Sequence, residues 1–412
     1  MDRPASTRSF FDDVDAGLDE ATLRRRRGAK WLRYGPSVLP AWVADMDFPP
    51  APPVADALAT MVETGDLGYP WLGEPSEVAV AFCEWAGRRY DWSINPDRVV
   101  VTVDVLQPLT AMIELCSRPG DGVVVQTPIY PPFLRAVELT GRDLIENPLG
   151  PPEEGSRLDV AGLEAALAAH PAPRVLLLCH PHNPTGRVFD DGELDALARL
   201  ALRHDLVVIS DEIHADLVYP GARHRPFASS GAGSAADPAT PSAADRAART
   251  VTLTSATKSF SIAGLRLAVA HFGSADLLGR YQSLPRFLLG GVNGPGAVAT
   301  LAAWRHGDQW LDELVRYLDG NRRLVAEFVA AELPGVHHVT PQATYLAWLD
   351  CRRLVEEGRG PSPAAWFLEH AGVALNDGAD FGPPGRGFAR LNFATSRPLL
   401  GRILDRLADS LR

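Results

Sequence analysis

The chain contains 38 arginines but only two lysines, Lys30 and Lys258. Arginine stays charged and cannot act as an amine nucleophile, whereas lysine can lose its proton and form a Schiff base. Lys258 lies in SATKSF, directly after the apolar run TVTLTS, and is the candidate for amine chemistry. Lys30 sits beside the basic run Arg24–Arg27 and reads as a chance survivor on a solvated face. Two other apolar runs also end in polar residues. RVLLLC leads into HPHNPTG, which carries Asn183, and LVVIS leads into Asp211, Glu212, Ile213 and His214. In open parallel sheets ligands bind beyond the carboxyl ends of the strands, so these are the positions that matter. Each alone would be an ordinary turn or helix cap. Together they set an amine, a carboxylate, an amide and an imidazole on one sheet edge. That set suits pyridoxal phosphate (PLP): lysine for the imine, carboxylate for the pyridine nitrogen, and donors for the ring oxygen.

The elements that would position these groups follow from the apolar pattern. RVVVTV, DGVVVQTP, RVLLLCHP, LVVISDE and TVTLTS read as strands, and GELDALARLALRHD carries Leu194, Leu197 and Ala201 at helical spacing. Near-continuous apolar strands alternating with helices predict an α/β domain with a mostly parallel sheet covered on both faces. Residues 51–290 would form this large domain, with 228–249, rich in Ala, Ser, Gly and Pro, as a flexible surface insertion. From about 308 the sequence predicts one long amphipathic helix, with Leu311, Leu314, Val315 and Leu318 on one stripe. Residues 291–412, joined by the N-terminal segment 1–50, would make a smaller α+β domain from both chain ends.

Length and composition bound the function. At 412 residues, two or three domains are expected. A net charge of −11 disfavours nucleic acid or anionic lipid as a main partner. Cys83, Cys116, Cys179 and Cys351 show no metal-ligand spacing, which fits a reducing cytoplasm and predicts no bound metal. The N-terminus has no apolar signal-like run and no segment approaches about 18 apolar residues, so neither secretion nor a membrane span is expected.

HNPTG, SDEIH, SATKSFSIAGLR and RLNFATSR, in that order, resemble fold-type-I PLP enzymes of the aspartate aminotransferase superfamily. KWLRYGPSVLPAWVADMDF, the Gly68–Tyr69 pair, PIYPPF, DEIHADLVY and ATYLAWLD are similar to the cystathionine β-lyase, or C–S lyase, branch. The resemblance spans Phe10 to Arg412 and implies a role for each matching residue. Lys258 would link to the cofactor and shuttle the substrate Cα proton. Asp211 would keep the pyridine nitrogen protonated, because a nearby carboxylate favours the charged form. Asn183 and His214 would bond the ring oxygen, and Tyr130 would stack on the ring. Ser255, Arg266 and the backbone of Val105 and Leu106 at a helix start would bind the phosphate. Tyr69 would reach that phosphate from a neighbouring subunit, implying a homodimer with shared active sites. Arg390 would clamp the substrate carboxylate, with the Ala44 backbone beside it.

The resemblance also has departures. Asp104 stands where the branch usually has glycine, either capping the following helix or offsetting Arg266, itself more typical of aminotransferases. Ser261 stands where asparagine is frequent. The resemblance therefore implies a β-lyase releasing thiol, pyruvate and ammonia from an S-substituted cysteine. The alternatives are an aminotransferase and a specialised enzyme that diverts the same chemistry to decarboxylation or oxidation. A PLP-fold regulator is disfavoured, because the first 50 residues hold no basic recognition helix.

Overall fold

Strands that are apolar on every residue need cover on both faces, and the computed structural model provides it. It describes residues 10, 11, 13–229 and 242–412. Seven strands form the main sheet: β1 (Val99–Thr102), β2 (Gly122–Thr127), β3 (Asp143–Pro148), β4 (Pro173–Cys179), β5 (Val207–Asp211), β6 (Thr250–Thr254) and β7 (Ala268–Phe272). Their spatial order is β1-β7-β6-β5-β4-β2-β3, and only β7 runs against its neighbours. All five strands read from the sequence are present. The two that were missed differ in pattern: β3 is an edge strand with polar positions (DLIENP), and β7 follows the Lys258 turn so closely that it reads as its continuation.

Alternation along each strand divides the core. Val123, Val125, Leu177 and Ile209 pack on one face with helices α3 (Leu106–Cys116) and α4 (Pro131–Leu139), through Leu109, Met112 and Phe133. Val124, Leu176, Leu178 and Val208 pack on the other with Leu194, Leu197 and Ala198 of α5 (Asp191–Arg203). A period of two in the strand meets a period of 3.6 in the helix. A capping box between Asp190 and Glu193 starts α5 at this position. Each Leu or Phe so enclosed contributes roughly 1.5–3 kcal/mol.

The strand directions bring the chemistry together. The carboxyl ends of β1, β2, β4, β5 and β6 lie on one edge. Because β7 is antiparallel, its amino end, with Arg266 and Leu267 just before it, lies at that same edge.

The C-terminal part adds a four-stranded antiparallel sheet in the order β10-β11-β9-β8, made of β8 (His337–His338), β9 (Leu346–Asp350), β10 (Asn376–Asp377) and β11 (Phe388–Asn392). The N-terminal segment joins it: Leu39–Pro40 pairs in parallel with Val373–Ala374. The long helix lies at Asp308–Glu332, where its apolar stripe placed it, and the Asn321 side chain donates to Phe393 O and Thr395 O. No helix among the described residues is long and apolar enough to cross a membrane.

Two sequence expectations need correction. Lys30 is not on a solvated face: it is 3% exposed and ion-paired with Asp47 at 2.8 Å. The end of the 228–249 insertion is also not a loose surface stretch. Ser242 caps the helix Ala243–Ala248, whose buried Arg246 pairs with Asp195 of α5. Residues 230–241 of that insertion lie outside the described residues.

Candidate active site

A cavity of about 150 Å³ opens at the sheet edge. Ala44, Val105, Leu106, Tyr130, Asn183, Asp211, His214, Ser255, Lys258 and Arg266 all line it, together with Asp104 and Cys179. Of the sequence candidates, Arg390 and Tyr69 are not among the lining residues: Arg390 reaches the cavity wall through Asn183, and Tyr69 is fully exposed to solvent.

Lys258 is held by a short helical turn, Ala256–Ser259, whose N-cap Ser255 accepts from Thr257 N–H. Ser255 Oγ is also 2.5 Å from Leu267 O, so this hydroxyl ties β6 to the start of β7. On the other side of Lys258, Ser259 Oγ donates to Asp216, which also accepts from Trp85 Nε1 and the Tyr90 hydroxyl. The Lys258 ammonium donates to Ala44 O at 2.6 Å. Burial pulls its pKa down to about 8, Arg390 pushes the same way, and Asp45 and Asp211 oppose.

Asp211 ends β5, where its register partner on β4 is Cys179. Its carboxylate accepts from Ile213 N–H at 3.1 Å. Burial raises its pKa to about 7, although the Ile213 bond and Lys258 favour the charged form. His214 is buried, and burial followed by the charges of Lys258 and Arg390 lowers its pKa to about 3. It is therefore a neutral imidazole near pH 7. Its Nδ1 has no hydrogen-bond partner among the described residues.

Arg390 is reached through its register on β11, which puts Asn376 of β10 directly opposite. Its guanidinium donates to Asn183 Oδ1 at 3.0 Å, Trp42 O at 3.1 Å and Asn376 Oδ1 at 2.5 Å. It also lies over the Phe381 ring, 5.0 Å from the centroid. At the opposite end, Arg266 pairs with Asp104, and Asp104 Oδ1 accepts from Gln107 N–H at 2.8 Å. Both readings of Asp104 from sequence hold at once: it caps α3 and it offsets Arg266. Ser261 Oγ donates to Phe48 O, so its hydroxyl holds the N-terminal segment.

Sequence reasoning missed Asn376, Asn392 and Tyr345. Asn392 donates to Val43 O and Asp45 O, and the Tyr345 hydroxyl donates to Ala44 O. Tyr345 lay inside ATYLAWLD, a string noted without assigning this residue. Asn376 has no local signature, and only the strand pairing reveals it.

The described residues fit a pyridine aldehyde phosphate. An amine and a carboxylate line the same cavity, a buried imidazole nitrogen lacks a partner, and a helix N-terminus with an arginine lies at one end. They include no His, Cys, Asp or Glu group able to hold a metal.

A large mixed sheet with this edge site defines an aminotransferase-type PLP fold. The chain belongs to the aminotransferase class I and II family, whose model matches residues 45–407. A Mycobacterium leprae relative is 40% identical over 96% of this chain and 98% of its own. Cystathionine beta-lyase PatB of Bacillus subtilis is 35% identical over 93% and 97%. The structure of the PLP-bound C-S lyase from Staphylococcus hominis superposes with a TM-score of 0.86 at 28% identity, covering 97% of this chain and 98% of that one.

Proposed function

We propose that this chain is a PLP-dependent carbon–sulfur β-lyase that converts an S-substituted cysteine, cystathionine-like in form, and water to a thiol, pyruvate and ammonia. It acts as a cytoplasmic homodimer. The observation that carries the reading is that Lys258 and Arg390 grip the same short segment, through Ala44 O and Trp42 O respectively. An amine that serves Cα and a guanidinium that binds a carboxylate are thus anchored two residues apart on one segment. The relatives' names support the choice of sulfur chemistry.

PLP, when bound, supplies an aldehyde for the amino group and an electron sink for the charge left when Cα loses its proton. The chain's residues do the rest. Arg390 would bind the substrate carboxylate in a bidentate pair and so orient the Cα bonds. The Ala44 carbonyl cannot receive a carboxylate, so only the backbone N–H of this residue can serve it. Lys258 takes the Cα proton, and burial keeps its amine close to its working pH. Asp211 would hold a proton on the pyridine nitrogen, Asn183 and His214 would bond the ring oxygen, and Tyr130 would cover a ring face. Ser255, Arg266 and the N–H groups of Val105 and Leu106 would bind the phosphate, joined by Tyr69 from a second copy. Loss of the Cβ thiolate then completes the elimination.

Arg266 favours a second reading, transamination, in which the carbon–sulfur bond survives. The distinguishing experiment incubates the PLP-loaded protein with cystathionine and other S-substituted cysteines and assays thiol, pyruvate and sulfur-containing keto acid together. Thiol and pyruvate in equal amounts support the lyase. An intact keto acid, with the enzyme needing a second keto acid to continue, supports the aminotransferase. A product lacking the carboxylate overturns both.

A further inference from the structure

The chain's two lysines donate to adjacent carbonyls. Lys258 Nζ meets Ala44 O at 2.6 Å, and Lys30 Nζ meets Asp45 O at 3.0 Å. Lys30 does not line the cavity. It is 3% exposed, and its ammonium pairs with the equally buried Asp47 at 2.8 Å. The other Asp47 oxygen accepts from Trp31 Nε1 at 2.8 Å, and the Lys30 carbonyl accepts from Trp42 Nε1 at 3.3 Å. The resulting cage closes around the Trp42–Asp45 segment.

All four carbonyls of that segment are occupied. Trp42 O receives Arg390, Val43 O receives Asn392, Ala44 O receives Lys258 and Tyr345, and Asp45 O receives Lys30 and Asn392. The segment is irregular backbone, with neither a helix nor a sheet ladder to set its carbonyl directions. Its shape depends on these donors. Burying an ion pair is a poor route to stability, because desolvation opposes the attraction, and in some proteins such a pair instead specifies one geometry. A compact ammonium can touch Asp47 Oδ2 and Asp45 O with one atom. A terminal nitrogen of arginine can also serve two acceptors, as Arg390 Nη2 does, but its planar, delocalised fork is bulkier than a point ammonium. This accounts for a lysine persisting here in a chain that otherwise uses arginine.

We propose that Lys30 is a positioning residue for the substrate-carboxylate subsite: its ammonium, locked between Asp47 and Asp45 O, sets the Trp42–Asp45 backbone so that Trp42 O orients Arg390 while Ala44 O meets Lys258. The proposal rests on the reading of Arg390 given above.

The test uses PLP-loaded protein and two probes, an S-alkyl cysteine and the S-alkyl cysteamine that lacks only the carboxylate. Lys30→Met leaves Asp47 buried without its counter-charge and can fail to fold. Lys30→Met/Asp47→Asn removes both charges, keeps an acceptor for Trp31, and is measured beside it. The expected result is a rise of about tenfold or more in KM for the cysteine with a fall in its kcat, because Arg390 also orients the Cα bond, and affinity for the amine within twofold. Lys30→Arg should not rescue. Equal losses for both probes, or unchanged preference for the carboxylate-bearing probe, overturn the proposal, as does a double variant that never folds. The parent reading fails separately. If the unmodified protein shows no preference for the cysteine, or Arg390→Lys leaves the preference intact, Arg390 does not bind the carboxylate.

Discussion

Asp104 and Arg266 form an ion pair at the start of α3, and the same Asp104 carboxylate accepts the Gln107 N–H that caps the helix. Arg266 adopts a left-handed backbone, φ +46°, and the Asn293 side chain donates to the carbonyls of Leu265 and Arg266. The arginine assigned to phosphate is therefore held at its backbone by one side chain and shared at its guanidinium with another.

That sharing should weaken PLP binding. Asp104→Asn keeps an acceptor for the Gln107 N–H and removes the competing charge. Its PLP dissociation constant should fall about fivefold, about 1 kcal/mol, while Arg266→Ala should raise it about tenfold or more. Because Arg266 is largely exposed, loss of the pair should cost the cofactor-free protein no more than about 1 kcal/mol. Fluorescence titration of the cofactor-free protein with PLP reads the two constants, and its urea denaturation reads the stability change. An unchanged constant in Asp104→Asn would sink the idea.

Lys258 should take up PLP with an unusual pH profile. Only the free amine attacks an aldehyde, and burial sets its pKa at about 8. The rate of incorporation should rise about tenfold per pH unit and level off near pH 8, whereas an ordinary lysine would continue towards about 10.4. Stopped-flow absorbance checks this, and a rate still climbing at pH 9.5 contradicts it. Borohydride reduction should label Lys258 and leave Lys30 untouched.

Acid should destabilise the cofactor-free protein already between about pH 6.5 and 4. Burial lowers the pKa of His182, His271 and His338 to about 4 and of His214 and His224 to about 3, and holds His180 well below its ordinary value. Between about pH 6.5 and 4 the unfolded chain binds protons at these six sites and the folded chain does not, so stability falls as pH falls. Asp211 and Glu212, both raised to about 7 by burial, work in the opposite direction over nearly the same range. Six outweigh two. The urea midpoint should therefore be lower at pH 5 than at pH 7, and a higher midpoint at pH 5 would refute the sum.

Tyr69 should matter only in an assembly. It is fully exposed, and Trp71 and Phe287 are more than four-fifths exposed, an arrangement suited to cover by a second copy. Sedimentation should show a dimer at assay concentrations. Tyr69→Phe should loosen PLP several-fold without changing the dimer. A fully active monomer would remove the basis for Tyr69 at the phosphate.

The sequence alone determined the residues that could do chemistry and the strands that end beside them. Lys258, Asp211 and Asn183 were legible because each directly follows an apolar run, and a strand's carboxyl end is a local property of the chain. Helix α5 and the long helix at Asp308–Glu332 were legible for the same reason, since their apolar spacing repeats within a turn or two. The direction of β7 was not legible, and that direction delivers Arg266 to the same edge.

Tertiary structure alone decided the partners. Arg390 meets Asn183 across 207 residues and Trp42 across 348, and Lys258 meets Ala44 across 214. No local pattern encodes such separations. Lys30 shows the limit most clearly. Its neighbours in sequence are four arginines, which made it look solvated, while its neighbours in space are Asp47 and Asp45. Burial of a charge depends on whether the fold brings a partner to it, and that is a property of contacts distant in the chain.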